Sequence, residues 1–559
     1  MKRLVRFGWG AGLLAGLLAS VEAQAPESAP AADSSLTLPD LVRRVLERNE
    51  TVQGKLLEFE VNRRKYAAEW GAFEPEGFGT ASRESNKRQN NTEQAAAGNG
   101  VSIFREQNNL YSAGIESLVP TGARVRLGYT LSDLNNNIPP GLFQTATVGS
   151  QYQSFAGVTL TQPLLKNFGF RASLASVRLA ALSSQIAFQE YRRQLMTIVG
   201  QAEATYWNLH LAQEQVRFFE ESLRTADTIL RDNRTRLEAG KGSELEVMEA
   251  EAGAGLRRAK LNEARQKLAE AIGRVVSLYG DTVTAQNTQL RAVDNPQLDA
   301  VRSVTETRQQ AFAFNPDYLM QQQKLQQEML RLGYARNQRL PEFNVKGAYG
   351  LNGLGDSPYQ SLRIIDRTTY PSWSVGVEVR LPLLGGLKGR NEFKAAELRL
   401  TAAELGVRST ETEILNGMNI AAQKVERTRS SVENYQSAVN YNQRLLESAL
   451  ARLDAGKIES RKVLEIEADL LEAKNSVVES LVRYKVAQLE LELITGTVLE
   501  HRQLEITQRQ LQIATENFTR TRKGGEAPYK QALEQVHALY PAYHPGTPPP
   551  LLERTSKSE

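Results

Sequence analysis

The residues able to do chemistry are few, and they form no recognisable active site. The 559-residue chain has no cysteine, which excludes disulfides, thiolate metal sites and thiol nucleophiles. Its four histidines show no metal-ligand spacing and stand at His210, His501, His537 and His544. The segment Gly240-Lys241-Gly242-Ser243 lacks the further residues that a phosphate-binding loop needs. The sequence therefore predicts neither an enzyme nor a resident metal or cofactor.

One short polar segment occurs twice, 216 positions apart. The first copy reads Arg236-Leu237-Glu238-Ala239-Gly240-Lys241, and the second reads Arg452-Leu453-Asp454-Ala455-Gly456-Lys457. The match continues without a gap through Glu249 and Glu465 to Gly280 and Gly496. A glycine just after an apolar-periodic run is typical of a helix C-terminus, so each copy predicts a turn between two helices.

These turns belong to two tandem repeats, 36–280 and 301–496, joined by a linker at 281–300. Each repeat predicts an opening helix, strands, a long helix and a closing helix. In the first repeat these elements are predicted at about 38–70, 76–165, 171–238 and 243–279. In the second repeat they are predicted at about 301–338, 342–384, 390–454 and 459–495.

The first repeat is longer than the second at one place. Asn49 and Pro163 are 114 residues apart, whereas their counterparts Asn315 and Pro382 are 67 residues apart. The additional 47 residues include a polar, low-complexity part at 82–100 and a strand-like part. The segments 111–120 and 123–132 predict an extra hairpin within this insertion.

Helices and strands carry different apolar periods. From Leu195 to Leu230 in the first long helix, apolar residues recur every 3.5 positions on average, which is the heptad period of a left-handed coiled coil. Apolar and polar residues alternate in the strand segments 124–131, 343–351 and 373–381. Such alternation fits a transmembrane barrel strand, and it fits equally an antiparallel sheet with one solvated face.

The N-terminus predicts export. Residues 1–23 combine basic residues, an apolar run and a small-residue cleavage site, as a signal peptide does, and residues 24–35 predict a flexible leader. The mean hydropathy of −0.42 argues against a bundle of transmembrane helices. The 68 basic and 64 acidic residues are too evenly balanced to favour a nucleic-acid partner.

Together these landmarks resemble the outer-membrane efflux protein family, the TolC-like channel-tunnels. The resemblance covers about residues 36–496 and rests on the repeated turns and on Leu36-Thr37-Leu38, Asn49, Gln162-Pro163-Leu164-Leu165, Asn315-Pro316, Leu340-Pro341 and Leu381-Pro382-Leu383-Leu384-Gly385-Gly386. It implies an α+β membrane channel built on a tandem structural repeat. In such a channel, a trimeric outer-membrane β-barrel with four strands from each subunit is continued by a long coiled-coil periplasmic α-barrel.

The resemblance also implies a function. The chain would be the outer-membrane channel-tunnel of a tripartite efflux or type I secretion system, located in the outer membrane with a periplasmic extension. The implied partners are two further copies in a homotrimer, a periplasmic adaptor protein, an inner-membrane pump and outer-membrane lipid. Because cysteine is absent, no N-terminal lipid anchor is expected. The alternative is a periplasmic coiled-coil scaffold or adaptor without channel activity.

Two sets of site residues follow from the resemblance. The family's adaptor-docking turns correspond to Arg236, Leu237, Gly240, Arg452, Leu453 and Gly456, for which helix capping is the other interpretation. The family's periplasmic aperture corresponds to Glu246, Glu249, Lys462 and Glu465, for which solvated coiled-coil charges are the other interpretation. Lys462 departs from the acidic pattern, and it either pairs with a neighbouring glutamate as a latch or lowers cation selectivity.

Two segments have no assigned role. The insertion at about 82–148 either extends the extracellular mouth, folds into the lumen or adds strands to the barrel. The C-terminal segment 497–559 predicts helix to about Thr521. Its proline-rich part, Pro541 to Pro550, is either disordered or wraps the waist of the tunnel.

Overall fold

The computed structural model describes residues 35–98, 100–138, 151–280, 290–299, 304–383, 386–455 and 457–522. The predicted signal peptide, the predicted leader up to residue 34, Gly456 and the tail beyond residue 522 lie outside these ranges.

Helices make up most of the described chain. Those of the first repeat are α1 (Leu38–Arg48), α2 (Glu50–Glu69), α3 (Thr92–Ala97), α4 (Phe170–Ser173), α5 (Ala175–Glu238) and α6 (Glu244–Leu278). The later helices are α7 (Val304–Phe314), α8 (Pro316–Gln338), α9 (Pro358–Asp366), α10 (Leu387–Asp454), α11 (Ser460–Thr495), α12 (Val498–His501) and α13 (Gln508–Arg522). The 64 residues of α5 and the 68 of α10 make each helix roughly 100 Å long at about 1.5 Å per residue.

The strands form a short parallel pair and one large antiparallel sheet. The parallel pair consists of β1 (Ser35–Leu36) and β6 (Arg291–Ala292). The sheet has six strands in the order β2-β3-β4-β5-β7-β8. Their bounds are β2 (Glu76–Gln89), β3 (Ile103–Leu118), β4 (Arg124–Asn136), β5 (Gln151–Pro163), β7 (Glu342–Gly355) and β8 (Pro371–Arg380).

Each opening helix breaks at an asparagine, where the sequence predicts one unbroken helix. The Asn49 side-chain oxygen accepts a bond from the Thr51 amide at 3.0 Å and so starts α2, while Asn49 Nδ2 donates to the Leu278 carbonyl at 3.1 Å. Asn315 likewise starts α8, and its Nδ2 donates to the Ile494 carbonyl at 2.8 Å. Each asparagine therefore joins two helices end to end, α2 with α6 and α8 with α11.

The helices form an array around α5 that has two edges. Near the sheet, α2 contacts α5, α5 contacts α8, and α8 contacts α10. Farther away, α6 contacts α5, α5 contacts α11, and α11 contacts α10. The buried seam of α5 keeps the coiled-coil spacing, with fully buried side chains at Leu195, Val199, Ala202, Tyr206 and Leu209. Among the described residues, α10 therefore lies at one edge and α2 and α6 lie at the other.

The insertion of the first repeat lies in the sheet. The family resemblance implies four strands per subunit, whereas the structure has six. β3 and β4 form a hairpin across the turn at 119–123, and β2 pairs with β3 along its whole length, from Glu76 opposite Glu116 to Gln89 opposite Ile103. The polar half of β2 lies within the strand region predicted at about 76–165, but backbone pairing with β3, rather than apolar alternation, holds it there.

The start of the first repeat, the linker and the segment after α12 meet beside α5. The amides of Val293 and Asp294 donate to the Tyr206 hydroxyl, which lies 3.0 Å from the Leu36 carbonyl oxygen in β1. Burial raises the pKa of the Tyr206 hydroxyl above its usual range. Arg502, just after α12, pairs with Glu203 of α5 at 2.6 Å. These bonds therefore tie the start of the first repeat, the linker and the segment after α12 to α5.

Candidate functional site

The first repeated turn is a complete helix C-cap. Beyond the end of α5, the Lys241 amide donates to the Arg236 carbonyl at 2.8 Å, and the Gly240 amide donates to the Leu237 carbonyl at 2.9 Å. This pair of bonds is a Schellman motif. Gly240 has a φ of 69°, a left-handed conformation that glycine adopts without the steric cost of a Cβ atom.

The second turn shares the cap but not the start of the next helix. The Lys457 amide donates to the Arg452 carbonyl at 2.8 Å, which repeats the first bond of the first turn, while Gly456 lies outside the described residues. In the first turn, Ser243 and Glu246 form a reciprocal capping box at the start of α6. No side-chain cap starts α11. The two turns are therefore similar in backbone and different in side-chain chemistry.

The two turns contact each other. Arg236 Nη2 donates to the Leu453 carbonyl at 3.3 Å, and the Ser460 hydroxyl donates to Asn233 Oδ1 at 2.9 Å. Leu453 is only 7% exposed and packs among apolar side chains of α5, α10 and α11, whereas Leu237 is 37% exposed. The paired leucines of the two repeats thus occupy different environments, one buried and one at the surface.

The Gly240→Ala substitution should loosen the first turn. A Cβ atom at this φ costs about 1–2 kcal/mol, and it meets no neighbouring atom that would add to the cost. We expect the Lys241 amide to exchange with solvent roughly tenfold faster in hydrogen-exchange mass spectrometry. Gly255→Ala is the matched control, since Gly255 lies inside α6 with open space around it. Equal exchange in both variants would contradict this interpretation of the turn.

The predicted aperture residues lie in a helix cap and a small network of ion pairs. Glu246 belongs to the capping box, while Arg461 lies 3.7 Å from Glu249 and 3.4 Å from Glu465. Lys462 binds Glu465 within the same helix at 2.9 Å, and this bond, followed by the neighbouring Arg461, lowers the pKa of the Glu465 carboxyl. Arg461 was not predicted as a site residue, although its spacing of four from Glu465 is a recognisable helical ion-pair signal.

A buried ion pair joins the two repeats. It lies about two helical turns beyond Glu249, on the side away from the repeated turns. Arg257 of α6 and Glu467 of α11 form the pair, and their exposed fractions are 7% and 6%. Arg257 also donates to the Ser222 hydroxyl at 3.0 Å and to the Leu464 carbonyl at 2.9 Å. Neither residue stands out from the sequence as a site residue. The signal for the pair is a break in the repeat, because the residue 216 positions after Arg257 is Ala473.

One face of the sheet is apolar and exposed. A single cross-strand row on β3, β4, β5, β7 and β8 consists of large apolar side chains whose exposed fractions lie between 42% and 75%: Ile115, Leu127, Val158, Tyr349 and Trp373. Val375, Val377 and Val379 continue this face along β8. A water-facing sheet would bury such a face under other elements, so this face requires an apolar surrounding.

The opposite face of the sheet is charged. Glu378 binds Lys346 at 2.7 Å and Arg380 at 2.6 Å, and Glu342 binds Lys166 at 2.9 Å. These charges alternate along β7 and β8 with the apolar residues of the first face. The sheet therefore separates an apolar side from a polar side, as a wall between lipid and water does.

Two further findings concern the described residues. None of the helices in the described ranges has an apolar stretch of the length needed to cross a membrane. In the same ranges, no group of three or more histidine, cysteine, aspartate or glutamate side chains is placed to hold a metal ion.

The chain is similar to known proteins over most of its length. The family model described as "Outer membrane efflux protein" matches residues 125–281 and 307–497, more than half of the chain. The chain is 23% identical to the proteases secretion protein PrtF of Dickeya chrysanthemi over 64% of this chain and 76% of that protein. It is 21% identical to the outer membrane protein TolC of Escherichia coli (strain K12) over 72% of this chain and 79% of that protein.

A solved structure shares the fold. The Campylobacter jejuni CmeC outer membrane channel matches with a TM-score of 0.56 and 16% identity, covering 82% of this chain and 85% of that chain. The fold is that of the TolC-like channels, with a helix-rich body and a sheet supplied by both repeats. The matched family consists of outer-membrane transport proteins and not of enzymes. The chain therefore belongs to the outer membrane efflux protein family.

Proposed function

We propose that three copies of this chain form a channel-tunnel of a tripartite efflux or type I secretion system, which carries substrates across the periplasm and the outer membrane. The observation that carries the proposal is the two-faced sheet, which is exposed and apolar on one side and charged on the other. A lipid-facing outer surface and a water-filled lumen would satisfy both faces at once.

The edges of the helical array support assembly from several copies. Edge helix α10 exposes large apolar side chains at Leu398, Leu405, Ile420 and Tyr441. Edge helix α6 exposes others at Leu245, Met248 and Leu256. Apolar residues on two opposite edges would be covered if α10 of one copy packed against α6 and α2 of the next. Such a contact is heterologous, so repeated contacts of this kind can close into a ring. The family resemblance implies three copies in that ring.

The turns are the proposed docking site for a periplasmic adaptor protein. They lie at the end of the helices that is farthest from the sheet, where an inner-membrane pump and its adaptor would meet the tunnel. Leu237, Gly240 and Arg452 are exposed and available for contact. Leu453 is buried, so its part in docking is to support the turn from inside. One relative is named as a protease secretion protein, which supports secreted protein as one class of cargo.

The aperture proposal predicts a change in ion conduction. In a trimer, Glu246 and Glu249 would each occur three times around the periplasmic mouth. Replacing both by glutamine removes negative charge and leaves Arg461 without its Glu249 partner. We expect altered single-channel conductance and weaker block by divalent cations in a planar bilayer. Glu251→Gln is the control, because Glu251 is exposed and pairs outside this group with Arg234. Unchanged conductance would contradict the placement of Glu246 and Glu249 at the periplasmic aperture.

Cell fractionation tests the proposed function against the coiled-coil scaffold. We expect the full-length protein in the outer-membrane fraction, and we expect it to run as a trimer after extraction in mild detergent. Recovery as a soluble periplasmic monomer would support the scaffold and exclude the channel.

A further inference from the structure

We propose that β2 forms the seam between subunits, pairing with β8 of the next copy, so that the closed barrel contains six strands from each chain. This proposal rests on the proposed trimeric channel and specifies how its sheet closes. Three copies of the six-stranded sheet make a barrel of 18 strands, where the family resemblance implies 12. Barrel diameter grows roughly in proportion to strand number, so the lumen is correspondingly wider.

The pairing order of the sheet leaves two open edges. Within the described residues, β2 pairs only with β3 and β8 pairs only with β7. A subunit with four strands would close by placing β8 beside β4 of the next copy. That edge of β4 is occupied by β3 in register from Leu118 opposite Arg124 to Glu106 opposite Asn136. The next β8 therefore reaches β2 instead.

The strand directions allow this closure. All five neighbouring pairs in the sheet are antiparallel, so β2 and β8, at opposite ends of an even number of strands, run in opposite directions. β2 follows the helical segment that ends at Phe73, and β8 precedes the long helix α10. The first residues of β2 and the last residues of β8 thus lie at the helical end of the sheet. β8 and the next β2 would meet as an ordinary antiparallel pair.

Charge and side-chain size select a register. Glu76 lies directly opposite Glu116, and the arginines near Glu116, Arg126 opposite it and Arg124 at 3.8 Å, lie on the far strand β4. A basic residue on the open side of β2 would give Glu76 a partner of its own. Arg380, the last residue of β8, places its side chain on the same charged face as Glu378. Setting Arg380 opposite Glu76 of the next copy supplies that basic residue.

The same register suits the apolar face. It sets Val379, Val377 and Val375 of β8 opposite residues 77, 79 and 81 of the next β2, which are glycine, glycine and alanine. Branched side chains therefore meet small ones along the seam. A slip by one residue would turn every side chain of β2 to the wrong face, so only registers of this parity are allowed.

Cysteine cross-linking tests the seam, and the chain has no native cysteine to interfere. The Gly77→Cys, Val379→Cys variant places two thiols directly opposite each other, at a Cα separation that a disulfide can span. A side chain at residue 77 meets open space, so the variant should fold. We expect oxidation to shift the main band on a non-reducing gel from monomer to cross-linked dimer and trimer. The Gly77→Cys, Glu378→Cys control puts the thiols on opposite faces and should stay monomeric.

Two parallel measurements separate the possible failures. The Val125→Cys, Val379→Cys variant reports closure of β8 on β4, and light scattering in detergent reports the trimer itself. A trimer that cross-links through residue 125, or through neither residue 125 nor residue 77, overturns the β2 seam and leaves the channel intact. A Gly77→Cys, Val377→Cys cross-link in place of the expected one keeps β2 as the seam and overturns the register. Absence of a trimer overturns the proposed function and this seam with it.

Discussion

The Glu467→Ala variant should be strongly destabilised, by about 3–5 kcal/mol, because it leaves the buried Arg257 guanidinium without its counter-charge. Arg257 would keep its bonds to the Ser222 hydroxyl and the Leu464 carbonyl, which are neutral acceptors. We expect α6 and α11, the helices that contain this pair, to unfold at a lower urea concentration than in the unchanged protein, as measured by circular dichroism in detergent.

Two controls isolate the buried charge as the cause. Glu251 occupies the position in the first repeat that matches Glu467, and its ion pair with Arg234 is exposed. Glu251→Ala should therefore change stability by only about 0–1 kcal/mol. The double variant Arg257→Met, Glu467→Leu removes both charges and should recover much of the lost stability. If Glu467→Ala were as mild as Glu251→Ala, the pair would not hold the two repeats together.

The Val377→Arg variant should lose membrane assembly. Val377 lies in the middle of the apolar face of β8 and is 59% exposed. If this face contacts lipid, an arginine near the bilayer midplane costs about 2–4 kcal/mol in each chain. We expect a large drop in the fraction of protein recovered as a detergent-stable trimer from the outer membrane.

Ser374→Arg is the matched control for the lipid-facing position. Ser374 lies on the same strand, three residues away, and its side chain points to the charged face. An arginine there would face the water-filled lumen and should leave trimer recovery close to that of the unchanged protein. Equal losses in both variants would show that the two faces of the sheet do not meet different solvents.

Much of the architecture could be predicted from sequence because duplication repeats the signal. Arg236 and Arg452 open the same turn in both repeats, and the bond from residue 241 to 236 recurs between residues 457 and 452. Asn49 and Asn315 were recognised as matching landmarks, but not as the points where the opening helices break. A helix break is decided by a tertiary contact, here the bond from each asparagine to the end of another helix.

The sheet shows where local pattern is insufficient. Strands β4, β7 and β8 alternate apolar and polar residues, and their positions follow from that alternation. The upper half of β2 is polar on both faces, so only its pairing with β3 makes it a strand. The number of strands per subunit therefore could not be read from the sequence, since it depends on which edges find partners.

Side-chain contacts at and near the two repeated turns depend on the same long-range geometry. Leu237 and Leu453 are equivalent in sequence, yet one is exposed and the other buried, because the two turns pack asymmetrically. The ion pairs of Arg461 with Glu249 and of Arg257 with Glu467 join residues more than 200 positions apart. No periodic signal along one helix specifies such a partner.

Planar-bilayer recording decides whether the proposed trimer is a channel. We expect discrete, long-lived conductance steps when the detergent-stable trimer is added to a planar lipid bilayer. We expect no conductance steps from protein that is dissociated to monomers before addition. Trimer that inserts into lipid without conducting ions, or protein that never associates with lipid, would contradict the proposed channel.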